Sequence, residues 1–199
     1  ILQYPFFDAK ADDAFNYGAI GVVIGHEMTH GFDDQGCHFD KNGNMTEWWT
    51  KEDTENFAKL GEYYADFFSK IEVLPGLNAN GKMTLGENIA DHGGLMVAYQ
   101  AFKNAEAEAM KVNKKVAMAN AGKKLGLTAD QRFFCAYSGV WGQNITEKEI
   151  RNRVLNDVHS LGEWRVKGAL PHIDAWYKAF NIKPSDPLYI APDKRLRLW

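Results

Sequence analysis

The sequence predicts a mainly α-helical domain with at most a few short β segments. Three observations predict it. Apolar residues recur at three- and four-residue spacing through most of the chain. A length of 199 residues, with 45% hydrophobic and 25% charged side chains, suffices for one substantial core of ordinary globular composition. No internal repeat or low-complexity segment points to an array or to disorder. Residues 1–199 are therefore expected to form a single domain.

The elements follow in order. Asp12 or Asp13 caps a first helix that runs through "AFNYGAIGVVIGHEMTH" to Gly31, a natural terminator. Within it Gly18, Gly21 and Gly25 cost about 1 kcal/mol each relative to alanine. Their spacing makes a bare stripe on which a neighbouring element is expected to pack closely. "DKNGNM" reads as a turn, residues 48–71 as an amphipathic helix rich in aromatics, and "LPGLNANGKM" as a loop. A further helix opens at Thr84 and extends to about Met110. Shorter helical patterns cover 114–125, 129–142, 147–156 and 171–180. "NDVHSLGEWRVKG" reads as a loop after a helix, and "KPSDPLYIAPDKRLRLW" as extended or irregular.

Charge and composition exclude several functions. The net charge is -3, and lysines gather only modestly at 111–124 and 194–197, which leaves no electrostatic footprint for nucleic acid. The longest apolar run, residues 19–25, is too short to cross a bilayer, so no transmembrane segment is expected. "ILQYPFFDAK" is no secretory leader and reads like the middle of a longer protein. Cys37 and Cys135 make at most one bridge, not a disulfide framework.

The chemistry concentrates in "GHEMTHGFDDQG", residues 25–36. His26 and His30 are four apart, about one helical turn, so their imidazoles share a face and can reach one zinc ion. Glu27 lies beside them, placed to accept a proton from water at the metal without being a ligand. The plainer reading is a histidine pair on an amphipathic helix with a surface glutamate between. A third protein ligand is still needed. A third histidine close behind the motif would require Gly at position 33 and His at 36, but Asp33 and Gly36 stand there. In "TLGENIADHGGL", Glu87 and Asp91 share a helix face, which makes Glu87 the candidate ligand. The same residues, from Thr84 to Glu87, also fit a capping box, and spacing alone supports both readings. His38 and His92 lie outside the paired geometry and are weaker candidates.

Taken in order, "GHEMTHGFDDQG", "GENIAD" and "NDVHSLGEWRVKG", with a basic terminal stretch ending at Trp199, resemble the C-terminal catalytic part of the neprilysin and endothelin-converting-enzyme family of zinc endopeptidases. The resemblance spans nearly the whole chain. It implies a thermolysin-like zincin lobe of the gluzincin type, one zinc ion as cofactor, and Glu87 as the third ligand. It further implies that Asp33 and Asp91 bond the outer nitrogens of the zinc histidines, a role that fixes tautomer and basicity. By the same resemblance His159 stabilises the tetrahedral intermediate with Asp157 holding its ring, and Arg165 binds a substrate carbonyl. Phe6 and Trp141, with Val22 and Val23 one turn before the histidines, would line a pocket for a large apolar side chain just after the scissile bond. Peptides are the implied substrates and an upstream helical lobe of the same protein the implied partner.

Where many animal members carry cysteines, this chain has Gly142 and Leu196, so it is closer to bacterial members. Those are commonly exported to the periplasm or cell surface, with the cytoplasm as the alternative. Two rival functions remain at this stage: an idle fragment that only binds peptides or a partner, and a zinc aminopeptidase, for which no element of the sequence offers a pocket for a free amine.

Overall fold

A computed structural model of the chain describes residues 1–198; Trp199, cited above in the terminal stretch, lies outside the described residues. The chain folds as helices α1 (Asp13–Asn16), α2 (Val22–Thr29) and α3 (Lys51–Ser69), a hairpin of β1 (Glu72–Leu74) and β2 (Leu77–Asn78), then α4 (Leu85–Val112), α5 (Lys114–Ala121), α6 (Ala129–Val140), α7 (Glu147–Asn156), α8 (Gly162–Ala169) and α9 (Asp174–Phe180). The mainly helical expectation holds, and the two strands form one antiparallel pair with an irregular register.

The long first helix is interrupted. Asp12 caps α1 by accepting from the Phe15 amide, but residues Tyr17–Gly21 then widen into a π-type turn before α2 resumes. The Ile20 amide bonds the Phe6 carbonyl at 2.9 Å, which pins the N-terminal segment here. At the other end a tight 3₁₀ turn, His30–Phe32, replaces a simple glycine stop. Two of the three stripe glycines meet neighbours as expected: Gly18 faces the backbone of Phe133 on α6, and Gly25 faces Gly94 on α4. Gly21 instead faces its own preceding turn.

Other boundaries shift for local reasons. Thr50 caps α3 with its hydroxyl, so Trp48 and Trp49 stay outside the helix. The segment 74–83, read as loop, contributes the end of β1 and all of β2 to the hairpin, turning at Gly76 with φ +73. α5 ends at Ala121, and the pattern at 171–180 divides into a 3₁₀ turn, Leu170–His172, and α9. The largest miss is α8, which occupies a stretch expected to be loop. Buried Gly162, Gly168 and Arg165 weaken its apolar pattern, and no side chain caps its start.

Two apolar clusters hold these helices. Val22, Leu95, Phe102, Phe133, Phe134 and Tyr137 join α2, α4 and α6. Phe57, Tyr64, Phe68 and Ile89 join α3 to α4 and receive Leu196 and Leu198 of the tail. α4 runs between both clusters, so its register fixes what it presents to α2.

Candidate active site

The contact between α2 and α4 is close because both helices are bare where they cross. A Cβ on Gly25 would stand 2.9 Å from the Gly94 carbonyl oxygen, and one on Gly94 would stand 2.7 Å from the His26 amide nitrogen. On α4, positions 87, 91 and 94 share a face, so the crossing brings Glu87 and Asp91 to the two histidines.

Each histidine is held through its outer nitrogen. His26 Nδ1 lies 2.9 Å from Asp91 Oδ1, and His30 Nδ1 lies 2.7 Å from Asp33 Oδ2. Asp33 is fixed in turn by the Gln35 and Gly36 amides, which donate to its Oδ1 at 2.9 and 2.7 Å. With Nδ1 donating, each Nε2 presents a lone pair. Those two Nε2 atoms face each other at 3.0 Å. Glu87 completes the group, with Oε2 3.1 Å from His26 Nε2 and Oε1 3.7 Å from His30 Nε2.

This donor set fits a small cation. Three ligand atoms lie within 4.8 Å of one another, and Glu87 Oε2 is buried without a hydrogen bond. Two lone pairs and a carboxylate turned inward repel one another unless positive charge stands between them. Ligand atoms about 2.1 Å from a tetrahedral zinc are separated by about 3.4 Å, close to the spacings found. The electrostatics agree. Burial disfavours charge on His26, yet the Asp91 carboxylate bonded to its Nδ1 and the Glu87 carboxylate beside its Nε2 raise its pKa to about 9. Burial likewise pushes the Glu87 carboxyl up, but the surrounding histidines hold it below its ordinary value.

The capping reading of Glu87 fails, because Thr84 makes no side-chain cap bond and the Glu87 carboxylate points to the histidines instead. His92 is fully buried between Tyr64 and His172, and the donor set includes neither it nor His38.

The remaining predicted residues gather unevenly. Glu27 is exposed on α2 beside His26, with no hydrogen bond or ion pair among the described residues. His159 reaches the site from the 157–161 connection, its Nε2 3.3 Å from Glu87 Oε1 and its Nδ1 2.8 Å from Asp157 Oδ1. Burial raises the Asp157 carboxyl, but bonds from the His159 amide and ring and from Arg153 bring it down to about 2. Arg165 is buried, and its Nε and Nη2 both donate to Asp91 at 2.7 Å while its guanidinium stacks on Trp141, 3.7 Å from the ring centre. Its Nη1 makes no bond among the described residues.

Val23 and Phe6 are half-buried near the start of α2. Val22 is a correction: at 2% exposure it belongs to the core with Leu95 and Phe102 and does not line a pocket. Sequence reasoning missed three partners, namely Arg153, the Arg165–Asp91 pairing, and the contact of Ser160 with Asn88. Only Arg153 left a signal, four residues before Asp157 on a helix. Neither Cys37 nor Cys135 is bridged, and among the described residues no helix is long and apolar enough to cross a membrane.

Comparison with known proteins places the chain in a family. Residues 1–196 match the model of peptidase family M13. Human neprilysin is 38% identical over 203 residues, covering 100% of this chain and 26% of that protein. Human endothelin-converting enzyme 1 is 38% identical over 199 residues, covering 100% of this chain and 24% of that one. Among solved structures, the Mycobacterium tuberculosis zinc metalloprotease Zmp1 in complex with inhibitor superposes with a TM-score of 0.90 at 38% identity, over 98% of this chain and 29% of that one. PepO from Lactobacillus rhamnosis superposes with a TM-score of 0.80 at 32% identity, over 98% and 28%. The chain thus spans about a quarter of the length of the curated relatives it matches.

Proposed function

The chain belongs to peptidase family M13, and from that premise and the geometry of the site we propose that it is the zinc-holding catalytic part of an endopeptidase that cleaves oligopeptides on the amino side of large hydrophobic residues. The observation that carries this reading is the convergence of His26 Nε2, His30 Nε2 and a Glu87 carboxylate left without a hydrogen bond on Oε2, with both outer nitrogens already taken by aspartates. His26, His30 and Glu87 would hold one zinc ion. When bound, zinc supplies Lewis acidity, polarising a peptide carbonyl and acidifying water.

The chain's own residues do the rest. Glu27, exposed and uncommitted, accepts the proton of the attacking water as the new C–O bond forms, then returns it to the leaving amine as the C–N bond breaks. His159 donates from Nε2 to the oxygen that gains negative charge, while Asp157, held strongly ionised, keeps the proton on Nδ1. Arg165 Nη1 is left to donate to a substrate carbonyl, because Asp91 and Trp141 fix the rest of the guanidinium. Val23, Phe6 and Trp141 are the residues assigned to the apolar pocket.

Glu27 and the His159 ring stand open to solvent, so the reading also assigns to the upstream part of the protein the backbone contacts and water exclusion that position a peptide. Relatives about four times as long support this. For location the periplasm or cell surface is the assignment, tested by fractionating cells that make the natural protein.

Metal analysis with cleavage of an N-terminally blocked peptide by the full-length protein tests the function. One zinc per chain and internal cleavage are expected. Cleavage of free-amine peptides alone would indicate an aminopeptidase, and peptide binding without turnover would leave only the idle-module reading.

A further inference from the structure

His159 stands on the connection 157–161 between α7 and α8, with its side chain 41% exposed. Such connections move more than the helices they join, yet a group that assists at Glu87 must be held within a fraction of an ångström. Asp157 orients the ring, and Arg153 holds Asp157. Asp157 lies on the same connection and Arg153 on α7, so neither ties the ring to α4.

The tie lies one residue further along. Ser160, 6% exposed, donates its hydroxyl to Asn88 Oδ1 at 2.7 Å. Asn88, 1% exposed, donates its Nδ2 to Thr84 Oγ1 at 3.0 Å, and the Thr84 hydroxyl donates to the Asn80 carbonyl at 3.1 Å. Buried amides and hydroxyls repay their desolvation only when paired, and each member of this chain is paired. The pairing is also in register. Ser160 follows His159 and Asn88 follows Glu87, so the buried rung at 2.7 Å lies directly behind the 3.3 Å approach of His159 Nε2 to Glu87 Oε1. Arg165 with Asp91 makes the next rung, one turn along α4.

We propose that Ser160 and Asn88 are positioning residues: their buried hydrogen bond, anchored on Thr84, sets where the His159 imidazole stands relative to Glu87. This rests on the reading of His159 as part of a peptide-hydrolysing centre. Neither residue is open to substrate, so both act through their neighbours in sequence.

Ser160→Ala removes the donor. Ser160→Thr keeps the hydroxyl, and a cavity of about 20 Å³ lies beside the residue, lined also by Thr84, His159, Leu161 and Trp164. In the zinc-loaded 199-residue chain, the His159 ring should give one sharp set of NMR signals that broadens or splits in Ser160→Ala, with zinc stoichiometry unchanged. In the full-length protein the same variant should lower kcat by about tenfold with KM held within about twofold, and Ser160→Thr should restore both readouts. Unchanged ring signals and kcat in Ser160→Ala, or no rescue by threonine, overturns the proposal. Should Ser160→Ala fail to fold, Thr84→Val, which breaks only the far end of the relay, is read by the same signals. A wild-type protein that holds zinc but cleaves nothing removes the hydrolytic reading alone, and the ring signals then still decide the bridge.

Discussion

Glu27 and Glu87 are the same side chain in opposite surroundings, and the same substitution should separate them. Glu27 is exposed and unpartnered, so Glu27→Gln should leave stability within about 0.5 kcal/mol of wild type and zinc content intact. Turnover should fall by about 10²- to 10⁴-fold because an amide cannot take the water's proton. Near-normal hydrolysis by this variant would refute the assigned base. Glu87→Gln should instead lose zinc on dialysis while its helix survives, since the carboxylate makes no cap bond. Retained metal with a fold weakened by about 0.5 to 2 kcal/mol, as for a lost cap, would reverse that assignment. Asp33 acts one step back. Asp33→Asn should lower zinc affinity by about 10- to 100-fold, read by competition with a chelating dye, because it orients His30 without touching the metal.

At the scale of elements the decisive contact is the crossing of α2 and α4. Gly25→Ala places a methyl group against the Gly94 backbone, which cannot yield as a side-chain tip would. Overpacking of that kind costs about 1 to 3 kcal/mol, and pushing the helices apart also moves Glu87 away from His26. Denaturant unfolding and zinc titration of Gly25→Ala should therefore both deteriorate, whereas Gly31→Ala, whose Cβ would meet nothing within 4 Å, should change neither. Equal behaviour of the two variants would show that the crossing does not set the site. The bare stripe of Gly18, Gly21 and Gly25 was legible in the sequence, but the partner of Gly25 on α2 was not. The Gly93–Gly94 pair on α4 was the available signal, unread because glycine in a helix names no neighbour.

Across the whole molecule, two buried histidines outside the site should govern behaviour in acid. Burial, with His172 nearby, lowers the His92 pKa to about 3; burial, with Arg195 nearby, lowers that of His172 to about 4. An unfolded histidine titrates near 6.5. Below that pH the unfolded chain takes up protons that the folded core refuses, so stability is full above about 6.5 and drains as pH falls toward 4. The loss should be about 1 to 3 kcal/mol per histidine by pH 4.5. His26, with its raised pKa, contributes in the other direction in the metal-free chain: its stabilisation is full below about 6.5 and is lost as pH rises toward 9, so it offsets part of the loss between pH 7.5 and 6.5 and is constant below. Urea unfolding at pH 7.5 and 4.5 should give a smaller difference for His172→Gln than for wild type; an identical difference would mean that His172 is not the source. Substrate choice is also a property of the whole. The full-length protein should favour peptides with Phe or Leu after the cut over Gly or Asp by orders of magnitude, at roughly 1 to 3 kcal/mol per methylene. The 199-residue chain alone should bind zinc but hydrolyse slowly until the upstream region is supplied. Competition assays with paired peptides decide both points.

The sequence by itself determined the helical class, the limits of α7, and the shared face of His26 and His30, because each depends on residues within a turn or two of one another. It also carried the order of three motifs, from which the family resemblance followed. It left Glu87 between cap and ligand, lost α8 in an apparent loop and put Val22 in a pocket, since burial and the direction of a carboxylate depend on which helices cross. The tertiary structure turned the Glu87 carboxylate toward the histidines, formed α8 and buried Val22. Contacts such as Ser160 to Asn88 and Arg165 to Asp91 join residues more than seventy positions apart, and no local pattern records them. The glycine crossing of α2 and α4 brings Glu87 and Asp91 to the histidines, and only its three-dimensional register turns separate motifs into one site.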